Sequence, residues 1–337
     1  MSVVFVMFTV FGSKTLHDLS PINRRYVDDI SGTHRWQAST SGLASRSHAG
    51  HAFWHAEQML TSPARLLGDT ERAAVQRILD EDPIAAAQVA ERVVMSGLSW
   101  RVDARMFGYG SSRHRLESLC WLGANLIPVH AGPAAVAAFA AAAADQPRLC
   151  SSLVGESEAV LGMWENLASV WGPARDVRPC QPLLATWTPP SIPADPTVRL
   201  VRPHEIDVLF PAAVAMYTEE VGVSPLTGDG GRDYRERIVD LVRHRRAYAK
   251  FVGGRVVFKA ELAVVTRHTA QVQGVWVAPE WRGRGLGTTA MAAVVRDALR
   301  RVAPSVSLYV NDYNLPARTV YERCGFHRAG TFATVLL

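Results

Sequence analysis

Three glycines alternate with two arginines in one short stretch of the sequence, EWRGRGLGTTAM at 280–291. A strand-like apolar run precedes this stretch and an apolar run with helical periodicity follows it. Phosphate binds well at the start of a helix, because unpaired N–H groups and a partial positive charge lie there. Glycines let the main chain approach a phosphate, and arginines add charge-assisted hydrogen bonds. The stretch therefore predicts a phosphate-binding loop, formed by Arg282, Gly283, Arg284, Gly285 and Gly287.

Two other phosphate-binding motifs fit this stretch less well. A dinucleotide fingerprint counted from Gly283 and Gly285 would need a glycine where Thr288 stands, and an acidic residue about twenty positions further on, where none is found. A nucleoside-triphosphate loop needs a Gly-Lys dipeptide, which the chain lacks. A tight turn from strand to helix without any ligand is the remaining alternative.

A second group of residues lies about forty positions after the glycines, beside a half-buried strand predicted at SVSLYVND. Pro316 suits the first turn of a helix, and Gly325 suits a left-handed cap at its end. On that helix Tyr321 shares a face with apolar residues, so its spacing alone indicates a packed aromatic side chain. Asn314 stands where a helix cap is expected.

Together the two groups resemble the signatures of the GNAT superfamily of acyl-CoA N-acyltransferases. The loop is similar to the family's (Gln/Arg)-x-x-Gly-x-(Gly/Ala) motif, and the later group to its Asn-x2-Ala-x3-Tyr-x3-Gly-Phe motif, here Asn314, Ala317, Tyr321, Gly325 and Phe326. The resemblance covers roughly residues 197–337. It implies acetyl-CoA as a cosubstrate, no metal, and acetyl transfer to a primary amine of a small molecule or protein by direct attack in a ternary complex.

The resemblance also implies the roles of individual residues. The pantetheine arm would lie between two splayed strands near 270–278 and 305–311, with a backbone N–H near Val277 stabilising the oxyanion. Tyr321 would protonate the departing thiolate. The implied cofactor-binding residues are Val275, Trp276, Val277, Arg282, Gly283, Arg284, Gly285, Leu286, Gly287, Thr288 and Asn314.

The general base is less well defined by the sequence. Many relatives carry a glutamate on the strand before the glycine loop, where this chain has Gln271 and Gln273. Glu261 on the preceding strand is the candidate we assign, and Glu219 and Glu220 are others. An exposed or ion-paired strand residue is the alternative for Glu261, and a water chain could replace a dedicated base.

The order of predicted elements repeats on either side of the proline-rich segment 186–197. In each half a short strand with an arginine, an acidic turn and a helical stretch come first, and a hairpin and two strand–helix units follow. We therefore predict an α/β protein with two GNAT-like domains, each a mixed, mostly antiparallel sheet flanked by helices. The expected divisions are a poorly ordered extension over 1–60, a degenerate domain over 61–185, the linker over 186–197 and an acetyl-CoA-binding domain over 198–337.

Composition narrows the partners and the location. The chain has 337 residues, 48% of them hydrophobic, and a formal charge of +5. The arginines are scattered rather than clustered, which disfavours a nucleic-acid partner. The four cysteines stand far apart, so we expect buried thiols in a reducing cytoplasm. The apolar opening MSVVFVMFTVFG is too short to span a bilayer, so no membrane partner is expected. A non-catalytic acyl-CoA-binding regulator is the alternative function.

Overall fold

The computed structural model of the chain describes residues 4–5, 64–98, 104–110 and 115–337. The disorder predicted for residues 1–60 lies outside this part of the chain, except at the two-residue strand β1, Val4–Phe5.

Most elements of the first half lie where the sequence predicts a strand or a helix. The strands are β2 (Ala64–Leu66), β3 (Arg105–Tyr109), β4 (Ser118–Leu122), β5 (Leu126–Val129), β6 (Ser152–Glu156) and β7 (Asp176–Thr186). The helices are α1 (Arg72–Glu81), α2 (Ala87–Ser96), α3 (Pro133–Ala144) and α4 (Ser157–Trp171).

The second half follows the same order of elements. Its strands are β8 (Arg199–Leu200), β9 (Ala247–Val252), β10 (Arg255–Val265), β11 (Ala270–Val277), β12 (Val306–Tyr309) and β13 (His327–Leu336). Its helices are α5 (Ile206–Val221), α6 (Arg232–Arg243), α7 (Leu286–Arg301) and α8 (Leu315–Arg323).

All these strands join one continuous sheet, in the order β2-β3-β4-β5-β6-β13-β7-β12-β11-β10-β9-β8, with β1 attached to β11. Two pairs are parallel, β5 with β6 and β11 with β12, and the other pairs along the described sheet are antiparallel. The mixed, mostly antiparallel sheet flanked by helices is therefore the fold class that the sequence predicts.

The two halves exchange their last strands. β7, from the first half, pairs with β12 of the second half, whereas β13, from the second half, pairs with β6 of the first. β7 and β13 also pair with each other. Successive side chains of β7 point to opposite faces, so Leu183 packs into a core with α1 and α2 while Leu184 packs into the core under α7 and α8. The exchange places first-half side chains beside the strands that end at the predicted site.

One contact supports the predicted repeat at the level of side chains. In the first half Arg65 of β2 pairs with Glu71, whose other oxygen accepts the Gly68 N–H at 2.9 Å. In the second half Arg199 of β8 pairs at 2.6 Å with Glu205, which also accepts the Arg202 N–H at 2.8 Å. The two carboxylates stand six positions after their arginines and cap equivalent 3₁₀ turns.

The proline-rich segment begins at Thr186, the last residue of β7, and runs along α7 with no helix or strand over 187–197. Arg296 of α7 donates to the Pro190 and Ile192 carbonyls, both at 2.8 Å. The Asp195 N–H donates to the Thr289 carbonyl at 2.9 Å, and the Asp195 carboxylate accepts from Lys250 at 2.6 Å. These contacts hold the segment against the helix that follows the glycine loop.

Helices cover both faces of the strands around the predicted site. α7 and α8 pack on the face that carries Val275 and Val277, and α5 and α6 pack on the face that carries Trp276. This is the alternation expected of a strand that is buried on both sides. The end of β11 therefore lies between two helical layers.

Candidate active site

The glycine loop leads from β11 into α7 through a short 3₁₀ turn at Pro279–Trp281. Gly283 and Gly285 have φ of 73° and 78°, in the left-handed region that glycine tolerates best. Among the described residues, no atom lies within 4 Å of a Cβ built at either glycine. The backbone at both positions therefore faces open space, and a large ligand can approach it closely.

The start of α7 adds unpaired amide groups to this open backbone. Leu286 and Gly287 are the first residues of the helix, and the Thr288 N–H makes a 3.1 Å contact with the Gly285 carbonyl. The predicted cofactor-binding residues from 282 to 288 thus form one continuous surface at the positive end of the α7 dipole. A diphosphate is the kind of group that this surface suits.

The two loop arginines differ in their surroundings. Arg282 donates from Nε to the Val277 carbonyl at 2.8 Å and from Nη2 to Glu219 at 2.7 Å. Glu219 also accepts from the Trp276 indole at 3.0 Å, so α5 is fastened both to β11 and to the loop. Arg284 is exposed, with its guanidinium 5.9 Å from the centre of the Trp281 ring. Arg282 therefore braces the loop, and Arg284 faces the solvent where a ligand would arrive.

β11 and β12 separate towards the site. They pair in parallel at Ala270↔Val306 and Gln271↔Ser307, and within these two described strands the pairing stops there. The Ala278 N–H donates to Val257 on the β10 side at 2.9 Å. Because N–H directions alternate along a strand, the Val277 N–H points to the other edge, towards the gap.

The edge of β11 that faces β12 also pairs with β1. Val4 pairs with Trp276 and Phe5 with Val275. Trp276 already pairs with Lys259 of β10 on its other edge, so β1 lies on the side that faces β12. The backbone of Val4–Phe5 thus runs where the family resemblance puts the pantetheine arm.

Tyr321 lies on α8 and is 1% exposed. Its ring packs edge-on against Phe326, with 5.6 Å between the ring centroids. Burial raises the pKa of Tyr321 well above its usual range, and electrostatic interaction with Cys324 and Glu220 raises it further. The phenol therefore keeps its proton at neutral pH, as a proton donor must. Burial also raises the pKa of Cys324 to about 12, which keeps this thiol protonated and unreactive.

Asn314 is the residue before α8, and its side chain accepts the Ala317 N–H at 3.3 Å. This is the helix-capping role that its position predicts. Its contact with a cofactor stays a prediction.

Glu261 is 1% exposed and forms an ion pair with Lys259, which is equally buried. The Lys259 ammonium donates to Glu261 at 2.6 Å and to the Gly274 carbonyl at 3.0 Å. The other carboxylate oxygen of Glu261 lies 3.6 Å from Arg237. The structure thus places Glu261 in a closed cluster of charges, which matches the ion-paired alternative. Its catalytic role stays a prediction.

Glu220 lies in the last turn of α5, next to Glu219, and reaches the end of β12. Arg178 of β7 donates to its carboxylate and, at 2.8 Å, to its backbone carbonyl. Asn311, which follows β12, donates to the same carboxylate at 3.3 Å. Burial raises the pKa of Glu220 to about 7, although Arg178 and Asn311 act in the opposite direction. In the sequence Glu220 is one of several candidates for the general base. No local pattern marks Arg178 or Asn311 as its partners.

A metal centre and a membrane span are not found in the described chain. Within residues 64–98, 104–110 and 115–337, no group of three or more His, Cys, Asp and Glu side chains could hold a metal ion. None of the helices formed by these residues has the length and apolarity needed to cross a membrane.

Comparison with known protein families assigns a family to part of the second half. Residues 215–326 match the model of the Acetyltransferase (GNAT) family. This part of the chain is a GNAT-family domain. Residues 104–209 match a domain of unknown function, DUF4081. No curated protein matches the chain in sequence.

Solved structures extend the likeness across both halves. A Drosophila protein has a TM-score of 0.58 and 14% identity, over 82% of this chain and 99% of its own. A GCN5-related N-acetyltransferase from Sphaerobacter thermophilus has a TM-score of 0.53 and 17% identity, over 81% of this chain and 94% of its own. A tandem GNAT protein from the clavulanic acid biosynthesis pathway has a TM-score of 0.46 and 17% identity, over 80% of this chain and 97% of its own. The first two show that the fold beyond the GNAT domain is shared as well.

Proposed function

We propose that the chain transfers the acetyl group of acetyl-CoA to a primary amine, with direct attack of the amine on the thioester in a ternary complex. The observation that carries this proposal is the bare backbone at Gly283 and Gly285, at the mouth of α7 and beside the gap between β11 and β12. The family to which residues 215–326 belong supports acetyl transfer in general.

Each part of the site suits one part of acetyl-CoA. The pyrophosphate would accept hydrogen bonds from the amides of the glycine loop and of the first turn of α7. The pantetheine arm would enter the gap and pair with the open edge of β11, replacing β1 there. The acetyl carbonyl would then meet the Val277 N–H, which would stabilise the negative charge that develops on its oxygen.

Two further effects would supply the rate. Holding thioester and amine in one gap makes their reaction effectively unimolecular, which in favourable cases lowers a barrier by about 7–11 kcal/mol. Tyr321, protonated and buried in the core under α7 and α8, would give its proton to the departing thiolate. No covalent intermediate with the enzyme is required, so Cys324 has no role in this scheme.

The test is the release of free CoA from acetyl-CoA over a panel of primary amines, corrected for hydrolysis without amine. The panel covers aliphatic polyamines, aromatic amines, aminoglycosides, free amino acids and lysine-containing peptides. Turnover that depends on one class of amine would support the proposal and identify the acceptor class. Tight binding of acetyl-CoA without turnover on any amine would instead indicate an acyl-CoA-binding regulator.

A further inference from the structure

Two adjacent glutamates at the end of α5 connect the two separated strands. Glu219 contacts Trp276 at the end of β11, and Glu220 contacts Asn311 just after β12. The last turn of α5 therefore spans the mouth of the gap between these strands. Of the two carboxylates, Glu219 forms an ion pair with Arg282 of the loop. Glu220 lies on the β12 side. Tyr321 lies on the opposite face of the sheet, in the core under α7 and α8.

We propose that Glu220 is the general base that deprotonates the acceptor amine, and that Arg178 of the exchanged strand β7 positions it. This inference rests on the proposed acetyl transfer. It gives the first half of the chain a part in the chemistry of the second half, because Arg178 precedes the proline-rich segment.

The arrangement of contacts leaves Glu220 suited to accept a proton. Arg178 Nη1 and the Asn311 amide both donate to Oε1, and Arg178 Nη2 donates to the Glu220 main-chain carbonyl. Arg178 is itself held by Asp176 at 2.9 Å. With Oε1 fixed from two sides, the orientation of the carboxylate is set, and Oε2 is the oxygen that an ammonium group can approach.

Glu220 takes one proton from the ammonium group of the acceptor, and the nitrogen lone pair forms a C–N bond to the thioester carbon while the carbonyl electron pair moves to oxygen. Collapse re-forms the carbonyl and breaks the C–S bond. The thiolate takes a proton from the Tyr321 hydroxyl. A second proton, lost from the nitrogen, then passes through solvent to Tyr321 and restores its hydroxyl. Glu220 then releases its proton to solvent, so one proton is produced for each acetyl group transferred.

The charged and titratable groups that interact electrostatically with Glu220 lie on β7, on β12, after β12 and on α8. Arg178 and Asp176 lie on β7, Tyr309 on β12, Tyr313 between β12 and α8, and Tyr321 on α8. Burial raises the pKa of Glu220 to about 7 and dominates over the attraction of Arg178. A base with such a pKa is about half ionised at neutral pH and accepts a proton readily.

Glu261 is less suited to this role. Its carboxylate is held in an ion pair with Lys259, and both side chains of the pair are 1% exposed. Along the sheet Glu261 lies opposite Gln273, whereas the strand end at Val277 lies opposite Phe258. Glu220 instead contacts Asn311, two residues after the end of β12.

The decisive variant is Glu220→Gln, which keeps the shape and removes the base. With the best primary amine of the panel, we expect kcat/KM to fall by about 10²–10⁴-fold, with unchanged affinity for acetyl-CoA by calorimetry. With hydroxylamine, a nucleophile that is already unprotonated at neutral pH, the variant should keep a rate close to that of the wild type. The exposed Glu322→Gln, one residue from Tyr321, is the matched control and should behave as wild type with both nucleophiles.

The pH profile tests the positioning residue. Wild-type kcat/KM for the amine should fall as the pH drops below about 7, where Glu220 takes up its proton. This acid limb should disappear in Glu220→Gln. In Arg178→Met it should move to higher pH, because loss of the positive charge raises the pKa of the carboxyl. A role of Arg178 in stability alone would lower the amount of folded enzyme without moving the limb.

A direct titration makes the test independent of the acceptor. Carbon-13 NMR of the glutamate carboxyls in the full chain, with the Glu220 signal assigned by its loss in Glu220→Gln, should show an inflection near pH 7. An inflection near the ordinary value of about 4 overturns the assignment, as does a Glu261→Gln variant that alone shows the amine-specific loss. No turnover by the wild type with any nucleophile overturns the proposed function itself, and the inference falls with it.

Discussion

Arg178 and Glu220 form a buried ion pair that joins β7, which precedes the proline-rich segment, to α5, which follows it. Arg178 is 8% exposed, and the Glu220 side chain is 7% exposed. Two charges buried together cost a large desolvation energy, which only good geometry and further hydrogen bonds offset. Asp176 and Asn311 supply those hydrogen bonds here. A pair of this kind is weak support for stability on its own, which favours a functional reason for keeping a carboxylate at this place.

A first prediction concerns the glycine loop. Gly285→Glu should lower the affinity for acetyl-CoA by at least tenfold, because a negative side chain would fill the open space where the pyrophosphate approaches the backbone. Calorimetric titration with acetyl-CoA measures the change. Gly172→Glu is the matched control: Gly172 has φ of 81° and equally open surroundings, but follows α4 in the first half. Equal affinities in both variants would show that the phosphates bind elsewhere.

Tyr321→Phe tests the proton donor. Removing the hydroxyl should reduce kcat by about 10²-fold or more, while the KM for acetyl-CoA stays close to the wild-type value. The ring remains to pack against Phe326, so thermal unfolding should change little. Steady-state CoA release with the best amine gives both constants. If the variant kept the full kcat, the thiolate would be protonated by solvent or by another group.

The repeated arginine–glutamate contact gives a prediction about stability. Glu205→Gln should lower the free energy of unfolding by about 0.5–1.5 kcal/mol at neutral pH, because it weakens the pair with Arg199 and the cap on the Arg202 N–H. The hydrogen bond from Arg199, with that of the Arg202 N–H, lowers the pKa of Glu205 to about 2 in the folded chain. The unfolded value is about 4.3.

The sign of the pH dependence follows from that difference. A carboxyl whose pKa is lowered on folding stabilises the folded state above its unfolded pKa and loses this contribution as the pH falls towards the folded pKa. The gap between wild type and Glu205→Gln should therefore be complete above about pH 5 and close between about pH 4 and 2. Urea unfolding at several pH values measures it. Glu71→Gln, at the equivalent turn, should show a gap of the same sign, since hydrogen bonds from Gly68 and Arg65 lower the pKa of Glu71 as well.

The loop was predictable from the sequence because its determinants are consecutive residues. Glycine type, strand-like alternation before it and helical periodicity after it all act within about 25 positions of Gly285. The structure places the residues from 282 to 288 on one surface, as the motif implies. The positions of Tyr321 on α8 and of Asn314 just before it were predictable for the same reason, and their catalytic and cofactor-binding roles stay predictions.

The closed pair of Lys259 and Glu261 is marked in the sequence by the spacing of the two residues. Residues two apart on a strand point to the same face, so a lysine at 259 and a glutamate at 261 are placed to meet if that face is buried. The pattern KAEL therefore favours an ion pair over an isolated base.

The surroundings of Glu220 were not predictable from the sequence. Arg178 and Asn311 reach it only because β7 is inserted beside β12, and strand order depends on long-range pairing rather than on local residue types. The apolar pattern of β7 would fit either half of the sheet. Exchange of β7 and β13 is decided by which edge each strand meets, and the sequence alone leaves that open.

The last prediction concerns β1. Its backbone pairs with Val275 and Trp276 on the edge of β11 that the pantetheine arm would use. If strand and cosubstrate compete, the apparent dissociation constant for acetyl-CoA is the intrinsic constant divided by the fraction of molecules in which β1 has left this edge. Replacing Val4 and Phe5 together by proline removes two backbone donors and disfavours strand pairing. The variant should therefore bind acetyl-CoA more tightly than the wild type in calorimetry. Alanine at the same two positions keeps the backbone donors and should leave the affinity nearer to wild type. Unchanged affinity in the proline variant would mean that β1 and the pantetheine arm do not share this edge.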